Sequence, residues 1–408
     1  MTTTNPLRRG DPTVFEVPGA CGEPVRCGNR TVVRYEAELW TARQRQAVTL
    51  HELSYRACFK PQLPRFFIER LTVPGDLVYD PFSGRGTTAV EAALLDRRVA
   101  ANDVNPLSAL LAAPRLEPPS GPESVSARLA EYPAVPGARA DLDLSMFYHP
   151  STEAALVSLR RELLGRAADG REDPLDRWIR MVATNRLTGH SPGFFSVYTL
   201  PPNQATSPES QRRINAHRRL VPPPRDVAAL IVRKTGQLLR DLDPEARSRL
   251  ARRARDAVFI TGDAGKTPTL ASGSVRLTVT SPPFLDQVAY AKDNWLRCWF
   301  NDLDTEAVAA GITMARTIPA WTAVMADVFA ELYRVTAPGG HVAFEVGEVR
   351  RGTVPLDEYV VPIGEEAGFT CRSILVNVSR FTKTSHIWGV ENHAAGTNTN
   401  RIVLFRKE

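Results

Sequence analysis

The feature of this sequence that most restricts its fold is the stretch 75–113, "GDLVYDPFSGRGTTAVEAALLDRRVAANDVNPLSALLAA". A short apolar run, Leu77 to Asp80, precedes a glycine-rich segment and a run of helical periodicity from Thr87 to Leu95. A second strand-like run, Arg98 to Asn102, and a further helical segment follow. A strand, a turn, a helix and a second strand in this order form a βαβ unit. The sequence therefore predicts a doubly wound α/β sheet.

The alternation of strands and helices stops after this unit and resumes about 145 residues later. The interrupting stretch begins with "PRLEPPSGPES", is mostly helical in pattern, and ends before the strand-like runs "AVFITGD" and "SVRLTVTSPPF". We therefore expect a domain split by a helical insertion after its second strand. The predicted parts are an N-terminal arm, 1–38; the first part of the domain, 39–111; the insertion, 112–256; and the second part of the domain, 257–408.

Composition excludes several classes of protein. Hydrophobic residues make up 43% of the 408 residues, which is enough for a sizeable core. No apolar run of about 18 residues is present, and the first residues lack the apolar stretch of a secretory signal, so we expect a cytoplasmic, nucleoid-associated protein with no membrane segment. The five cysteines are scattered without metal-ligand spacing. Reduced thiols and no metal site are therefore predicted.

Positive charge is concentrated in the insertion. The chain has a formal net charge of +6, but Ser151 to Ile260 alone holds 20 Lys and Arg against 12 Asp and Glu. Such asymmetry indicates a polyanionic partner for this region. Arginine-rich helices that only face solvent are the alternative interpretation.

Acidic residues follow three of the predicted strands. Asp80 ends the first strand, Asp103 ends the second about 20 residues later, and Asp263 follows the strand after the insertion. The ends of parallel strands meet at the ligand-binding edge of such a sheet, where an acidic side chain can accept hydrogen bonds from ribose. The turn Gly84–Gly86 lets the backbone approach a ligand at a helix N-terminus. Together these features predict a nucleoside cofactor.

A second loop has unusual chemistry. "TSPPF", residues 280–284, follows the strand-like run "VRLTV". Neither Pro282 nor Pro283 has an N–H group, and each pushes the preceding residue towards extended geometry. The sequence therefore predicts a stiff exit from the sheet with carbonyl groups that the sheet does not use.

Taken together, "DPFSGRGTT" and "TSPPF" resemble the cofactor and catalytic loops of the amino-directed DNA methyltransferases. The resemblance covers roughly residues 50–110 and 257–350. It implies a Rossmann-like seven-strand methyltransferase sheet and S-adenosyl-L-methionine as methyl donor. The implied cofactor-binding residues are Asp80, Phe82, Gly84, Gly86, Thr87, Asp103 and Asp263. Arg85 stands where the family often has a small residue.

The resemblance also assigns the catalytic residues, which are Ser281, Pro282, Pro283 and Phe284. The amino nitrogen of a base is a poor nucleophile because its lone pair is delocalised into the ring. The hydroxyl of Ser281 and the carbonyl of Pro282 are expected to accept its two hydrogens, while Phe284 stacks on a flipped base. Family members with Ser at this position often methylate N4 of cytosine, which is the product we expect; N6-methyladenine is the alternative.

The insertion is then the expected target-recognition region for double-stranded DNA. Its predicted phosphate contacts are Arg212, Arg213, Arg218, Arg219, Arg233 and Lys234. The expected role is that of a restriction–modification or phage-defence enzyme, with a cognate endonuclease or defence protein encoded separately. An RNA base methyltransferase and a catalytically silent, cofactor-sensing DNA-binding subunit remain the alternatives.

Overall fold

The computed structural model describes residues 20–40, 48–55, 58–200, 205–283, 290–312, 315, 317–349, 354–378 and 399–408. Its strands are β1 Cys21–Cys27, β2 Arg30–Ala37, β3 Leu77–Asp80, β4 Arg98–Asp103, β5 Val258–Thr261, β6 Val275–Thr280, β7 Thr336–Val346, β8 Glu348–Val349, β9 Val354–Pro355, β10 Thr370–Val378 and β11 Thr399–Arg406. No helix within these ranges is long and apolar enough to cross a membrane.

The helices fall into two groups along the chain. Those outside the predicted insertion are α1 Gln62–Leu71, α2 Thr87–Leu94, α3 Leu107–Ala112, α10 Tyr290–Phe300, α11 Thr305–Gly311, α12 Ile318–Val335 and α13 Asp357–Glu366. Those within the predicted insertion are α4 Pro122–Glu131, α5 Pro150–Ala168, α6 Pro174–Arg186, α7 Pro208–Arg218, α8 Val227–Leu239 and α9 Pro244–Ala254. Short 3₁₀ turns at Thr49–His51 and Ala113–Leu116 complete the described helical structure.

Nine strands form one sheet in the order β1-β2-β10-β11-β7-β6-β3-β4-β5. The run from β7 to β5 is parallel throughout, and β11 lies antiparallel between β7 and β10. Seven of these strands form the Rossmann-like methyltransferase sheet expected from the sequence, so the predicted fold class is confirmed. The strand order reverses between β3 and β6, which places a crevice at their carboxyl ends.

The two remaining strands come from residues that the sequence placed in an N-terminal arm. β1 and β2 form an antiparallel hairpin around Gly28, whose φ of +59° suits glycine at the turn. β2 then pairs in parallel with β10. Residues 21–37 thus extend the sheet at one edge, because alternate side chains such as Val32 are buried against it.

Alternate residues of the central strands face two separate cores. Val78 and Val99 lie in the core that also contains Trp178 of the insertion. Leu77 and Tyr79 lie in the core formed with α12 and α13. Both faces are covered, as is usual for a parallel sheet, so its central strands are apolar almost throughout. On the first of these faces α1, α2 and α3 contact the strands, and the insertion helices α9 and α6 pack against α2 and α3.

The insertion begins its helices with clear local signals. Asp173, Ser207 and Asp243 each accept a backbone N–H at a helix start, and a proline follows each of them. Within the layer, the fully buried Trp178 donates its indole N–H to Thr235 Oγ1 at 3.0 Å. This bond joins α6 to α8 and satisfies the only polar atom of the indole.

Candidate functional site

A cavity of about 300 Å³ lies at the carboxyl ends of β3, β4, β5 and β6. The residues that follow these four strands contribute Phe82 and Gly84, Asp103 to Asn105, Gly262 to Ala264, and Ser281 with Pro283. Tyr55, Pro81, part of α12, and Gly311, Ile312 and Ala315 before that helix also line it. The cavity therefore joins the two loops that the sequence singled out, although about 195 residues separate them along the chain.

The glycine turn is shaped by backbone geometry. Gly84 and Gly86 have φ values of +54° and +78°, a region that side chains disfavour. A Cβ on Gly86 would lie 2.4 Å from Cβ of Ala112, so this position also allows α3 to pack closely. Arg85 points away from the cavity and donates to the carbonyl of Leu53 at 2.9 Å. The turn thus tolerates an arginine between its glycines.

Asp103 connects the turn to the cavity. Its Oδ2 accepts the N–H of Gly84 at 2.8 Å, and its Oδ1 accepts the N–H of Asn105 at 2.9 Å. Burial raises the pKa of Asp103 to about 6, although these two hydrogen bonds favour the carboxylate. Each oxygen keeps a second lone pair, so the carboxylate can still accept hydrogen bonds from a ligand.

Asp263 also lines the cavity, on the side of β5. It is exposed, and its Oδ1 accepts the N–H of Gly265 at 2.9 Å. The two acidic residues therefore lie on walls formed by adjacent strands, at a site open to a polar ligand.

Three predicted cofactor residues do not line the cavity: Asp80, Gly86 and Thr87. Asp80 is buried, and its Oδ1 accepts hydrogen bonds from Thr280 Oγ1 at 2.6 Å and from the N–H of Phe82 at 3.2 Å. Burial raises its pKa to about 7. Asp80 therefore ties the end of β3 to the end of β6, and its effect on a ligand is indirect, through the position of both loops.

The proline loop is anchored to α12. Ser281 and Pro283 line the cavity, Pro282 is buried, and Phe284 lies outside the described residues. The carbonyl of Pro283 accepts the indole N–H of Trp321 at 3.0 Å. A carbonyl freed from the sheet by the prolines is thus held in place by a buried aromatic side chain.

Sequence reasoning missed Glu345, which lies close enough to Ser281 for the Ser281 hydroxyl to lower the pKa of its carboxyl against the larger effect of burial. The register explains the contact, since Thr280 of β6 pairs with Phe344 of β7. Glu345 is 6% exposed, and Asn400 donates to its Oε1 at 2.7 Å. Burial raises the pKa of Glu345 above its ordinary value. The signal available in the sequence was an acidic residue inside the apolar strand "HVAFEV".

The apolar part of the wall comes mainly from α12. Trp321, Val324, Met325 and Val328 recur at helical spacing and line the cavity, as does Phe82. An apolar wall facing two carboxylates and a serine matches the amphipathic character of a nucleoside ligand.

The predicted phosphate contacts have different environments. Arg213, Arg219 and Arg233 are exposed. Arg212 pairs with Asp143 at 2.7 Å, and Arg218 lies 4.5 Å from the ring of Tyr198. Lys234 is only 6% exposed, and its Nζ lies 3.9 Å from Glu52 Oε2. Lys234 is therefore less accessible than a direct phosphate contact requires.

The sequence of residues 29–109 matches the N6_N4_Mtase family, described as DNA methylases. The match runs from the first hairpin to α3, so it contains the glycine turn and Asp103 but not the proline loop or the insertion. It confirms the amino-directed methyltransferase family recognised in the sequence. A search of curated proteins gives no match.

Similar solved structures include a protein from Thermus thermophilus, assigned as a DNA modification methylase, in complex with S-adenosyl-L-methionine. It is 22% identical, covering 36% of this chain and 53% of the Thermus chain, with a TM-score of 0.22. Geranyl diphosphate C-methyltransferase from Streptomyces coelicolor A3(2) is 8% identical, covering 85% of this chain and 76% of that one, with a TM-score of 0.33. The present chain spans about half the length of the Thermus protein.

Proposed function

We propose that this protein is a DNA methyltransferase that transfers the methyl group of S-adenosyl-L-methionine to N4 of cytosine. The observation that carries the proposal is that both loops line one cavity. Ser281 and Pro283 of the proline loop line it together with Gly84 and Asp103. The family match supports DNA as the substrate.

The cavity suits S-adenosyl-L-methionine in shape and polarity. We assign Asp103 to the ribose hydroxyls and Asp263 to the amino group of adenine, because each carboxylate can accept such donors. Phe82 and the α12 side chains Val324 and Val328 would cover the apolar faces of the adenine ring. The cofactor, when bound, supplies a sulfonium-activated methyl group.

The residues of this chain prepare the amino nitrogen of the base to attack the methyl group. As a carboxylate, Glu345 can only accept, so we assign to the hydroxyl of Ser281 the role of hydrogen-bond donor to Glu345. The lone pairs of Ser281 Oγ then remain for one amino hydrogen of the base, and the carbonyl of Pro282 is assigned to the other. Both acceptors are rigid before the substrate arrives, which limits reorganisation in the transition state.

Ser281 supports cytosine as the target base, by analogy with family members that carry Ser at this position. Asp in its place would put a full negative charge on the group that faces the base, whereas the hydroxyl of Ser281 is neutral and keeps its proton while it donates a hydrogen bond to Glu345. Phe284 is expected to stack on the base, which either base allows. N6-methyladenine is the competing product.

Nucleoside mass spectrometry tests the proposal. DNA and RNA from methylation-deficient cells that express the protein should contain N4-methylcytosine in the DNA only, whereas cells expressing Ser281→Ala should lack it. N6-methyladenine alone would overturn the choice of base, and modification confined to RNA would overturn DNA as substrate. An unmodified nucleoside pool with intact cofactor binding would instead favour a silent cofactor-sensing subunit.

Cofactor binding should depend on Asp103. Asp103→Ala should weaken S-adenosyl-L-methionine binding by about 1.5–3 kcal/mol, the usual cost of losing a hydrogen bond to a charged group. Because burial raises the pKa of this carboxyl to about 6, wild-type affinity should fall as the pH drops through that value and the carboxylate is protonated.

Titration calorimetry across this pH range measures both effects. Asp103→Asn keeps an oxygen for the N–H of Gly84 and should remove the pH dependence, while Asp143→Ala, at an exposed position in the insertion, serves as the control. Unchanged affinity in both Asp103→Ala and Asp263→Ala would contradict the assigned cofactor site.

The insertion, residues 112–256, completes the proposal as the target-recognition region. Asn185 of its helix α6 is hydrogen-bonded to Ser54, which precedes the cavity residue Tyr55, and the exposed arginines of the insertion suit phosphate groups of double-stranded DNA. We assign the enzyme to a restriction–modification or phage-defence role in the cytoplasm, alongside a separately encoded nuclease or defence protein.

A further inference from the structure

Three positively charged side chains lie close together beside a compact turn of the insertion at residues 189–199. Arg186 ends α6, and its Cζ lies 4.0 Å from the ring centroid of Phe194. Arg233 of α8 reaches the same turn, since its Nη2 lies 3.4 Å from the position of a Cβ on Gly193. Lys234 follows it on α8. We refer to Arg186, Arg233 and Lys234 as the Arg186 cluster.

Positive charge in the cluster exceeds the negative charge nearby. Arg186 donates to neutral acceptors, the carbonyl oxygen and Oδ1 of Asn185, at 3.1 and 2.6 Å. Glu52 is the carboxylate paired with Lys234, at 3.9 Å, and among the described residues Arg233 has no ion-pair partner. Burial and the charges of Arg297 and Arg233 lower the pKa of Arg186 to about 10.

The pKa of Lys234 also indicates an excess of positive charge in the cluster. Burial and the neighbouring Arg186 lower its pKa to about 8. Like charges that are partly removed from water destabilise one another, and an anion placed among them relieves this cost. The arrangement is therefore suited to an anionic ligand.

The cluster is fixed in position relative to the cavity. Asn185 accepts the N–H of Ser54 at 3.1 Å and donates to the carbonyl of Ser54 at 2.8 Å. The next residue, Tyr55, lines the cavity. Arg186 in turn bonds to Asn185. A short chain of hydrogen bonds thus connects the cations to the cavity wall.

We propose that the Arg186 cluster binds a phosphodiester group of the nucleic-acid strand whose base enters the cavity, an inference that rests on the function proposed above. Arg233 is exposed and makes the contact, while the buried Arg186 and Lys234 strengthen the local positive potential. His190, Ser191 and Pro192 are exposed at the turn, so an extended strand can approach. A guanidinium fork matches the geometry of a phosphate.

The test is the salt dependence of binding to a fluorescein-labelled DNA duplex of random sequence, from about 50 to 200 mM salt. Arg233→Gln should lower the slope of log K against log salt concentration by about 0.9, the value for one lost phosphate contact. Arg233→Lys should keep the wild-type slope. Arg171→Gln, an exposed arginine of the insertion paired with Asp169 at 2.7 Å, is the matched control and should also keep it.

Three results would overturn the assignment. If Arg233→Gln still methylates DNA and shows an unchanged slope, the Arg186 cluster is not a phosphate site, and the proposed function is unaffected. An equal loss in Arg171→Gln would mean that any arginine of the insertion contributes, which also contradicts a specific site. A wild-type protein that does not bind duplex DNA would refute the proposed function and this inference together. Calorimetry with S-adenosyl-L-methionine should give wild-type affinity for all three variants.

Discussion

Ser281→Ala should reduce the rate of methyl transfer by about 10²-fold or more, a loss typical of an oriented group that acts in the transition state. Ser281 lies on the cavity wall beside Glu345, and a hydrogen bond donated to that carboxylate, as proposed above, would orient the remaining lone pairs of the hydroxyl before the base arrives. Alanine removes this acceptor without adding volume. S-adenosyl-L-methionine affinity should stay at the wild-type value, because the assigned cofactor contacts are on other residues.

Single-turnover methylation of DNA, combined with calorimetry, separates the two quantities. Ser274→Ala is the matched control, since Ser274 lies at the opposite end of the same strand and donates to the carbonyl of Ala271 at 2.7 Å. The control should methylate at the wild-type rate. If Ser281→Ala keeps more than half of the wild-type methylation rate, Ser281 does not take part in the mechanism.

Glu345→Gln should lower the methylation rate by about tenfold to 150-fold, equivalent to losing a hydrogen bond to a charged group, about 1.5–3 kcal/mol. The carboxylate can only accept, so it fixes the direction in which Ser281 donates. A glutamine amide can donate to Ser281 instead and so occupy the lone pair meant for the base. Cofactor affinity should again be unaffected.

Glu345 should also determine how the methylation rate depends on pH. Burial raises the pKa of Glu345, so on lowering the pH its carboxylate is protonated above the ordinary glutamate range. The wild-type methylation rate at saturating cofactor should therefore fall on the acid side, and Glu345→Gln should abolish that limb. Burial also raises the pKa of Asp103, which makes saturation with cofactor necessary in this measurement.

Glu331→Gln provides the control for Glu345. Glu331 also accepts a hydroxyl hydrogen, from Thr267 Oγ1 at 2.6 Å, but it pairs with Arg334 away from the cavity. Its pKa is lowered to about 2, chiefly by that arginine. The rate and acid limb of this variant should match the wild type. If the methylation rate of Glu345→Gln still falls at acid pH as in the wild type, the proposed Ser281–Glu345 pair is refuted.

The sequence alone determined the elements whose signals are local. The βαβ unit, the glycine turn before α2 and the proline loop after β6 each depend on residues within a few positions of one another, through backbone dihedral limits and side-chain periodicity. Parallel strands bring their carboxyl ends to one edge, so Asp103 and Asp263 at the cavity were also predictable.

Only the tertiary structure decided which side chains meet across the sheet. Ser281 and Glu345 are 64 residues apart, and their contact depends on the register between β6 and β7, which no local pattern encodes. The same holds for the Trp321 bond to Pro283 and for the burial of Lys234. Asp80 shows the converse limit: its position at a strand end was read correctly, but its carboxylate is used by Thr280 of the neighbouring strand. Chain position fixes the place of a side chain along an element, and packing determines what that side chain contacts.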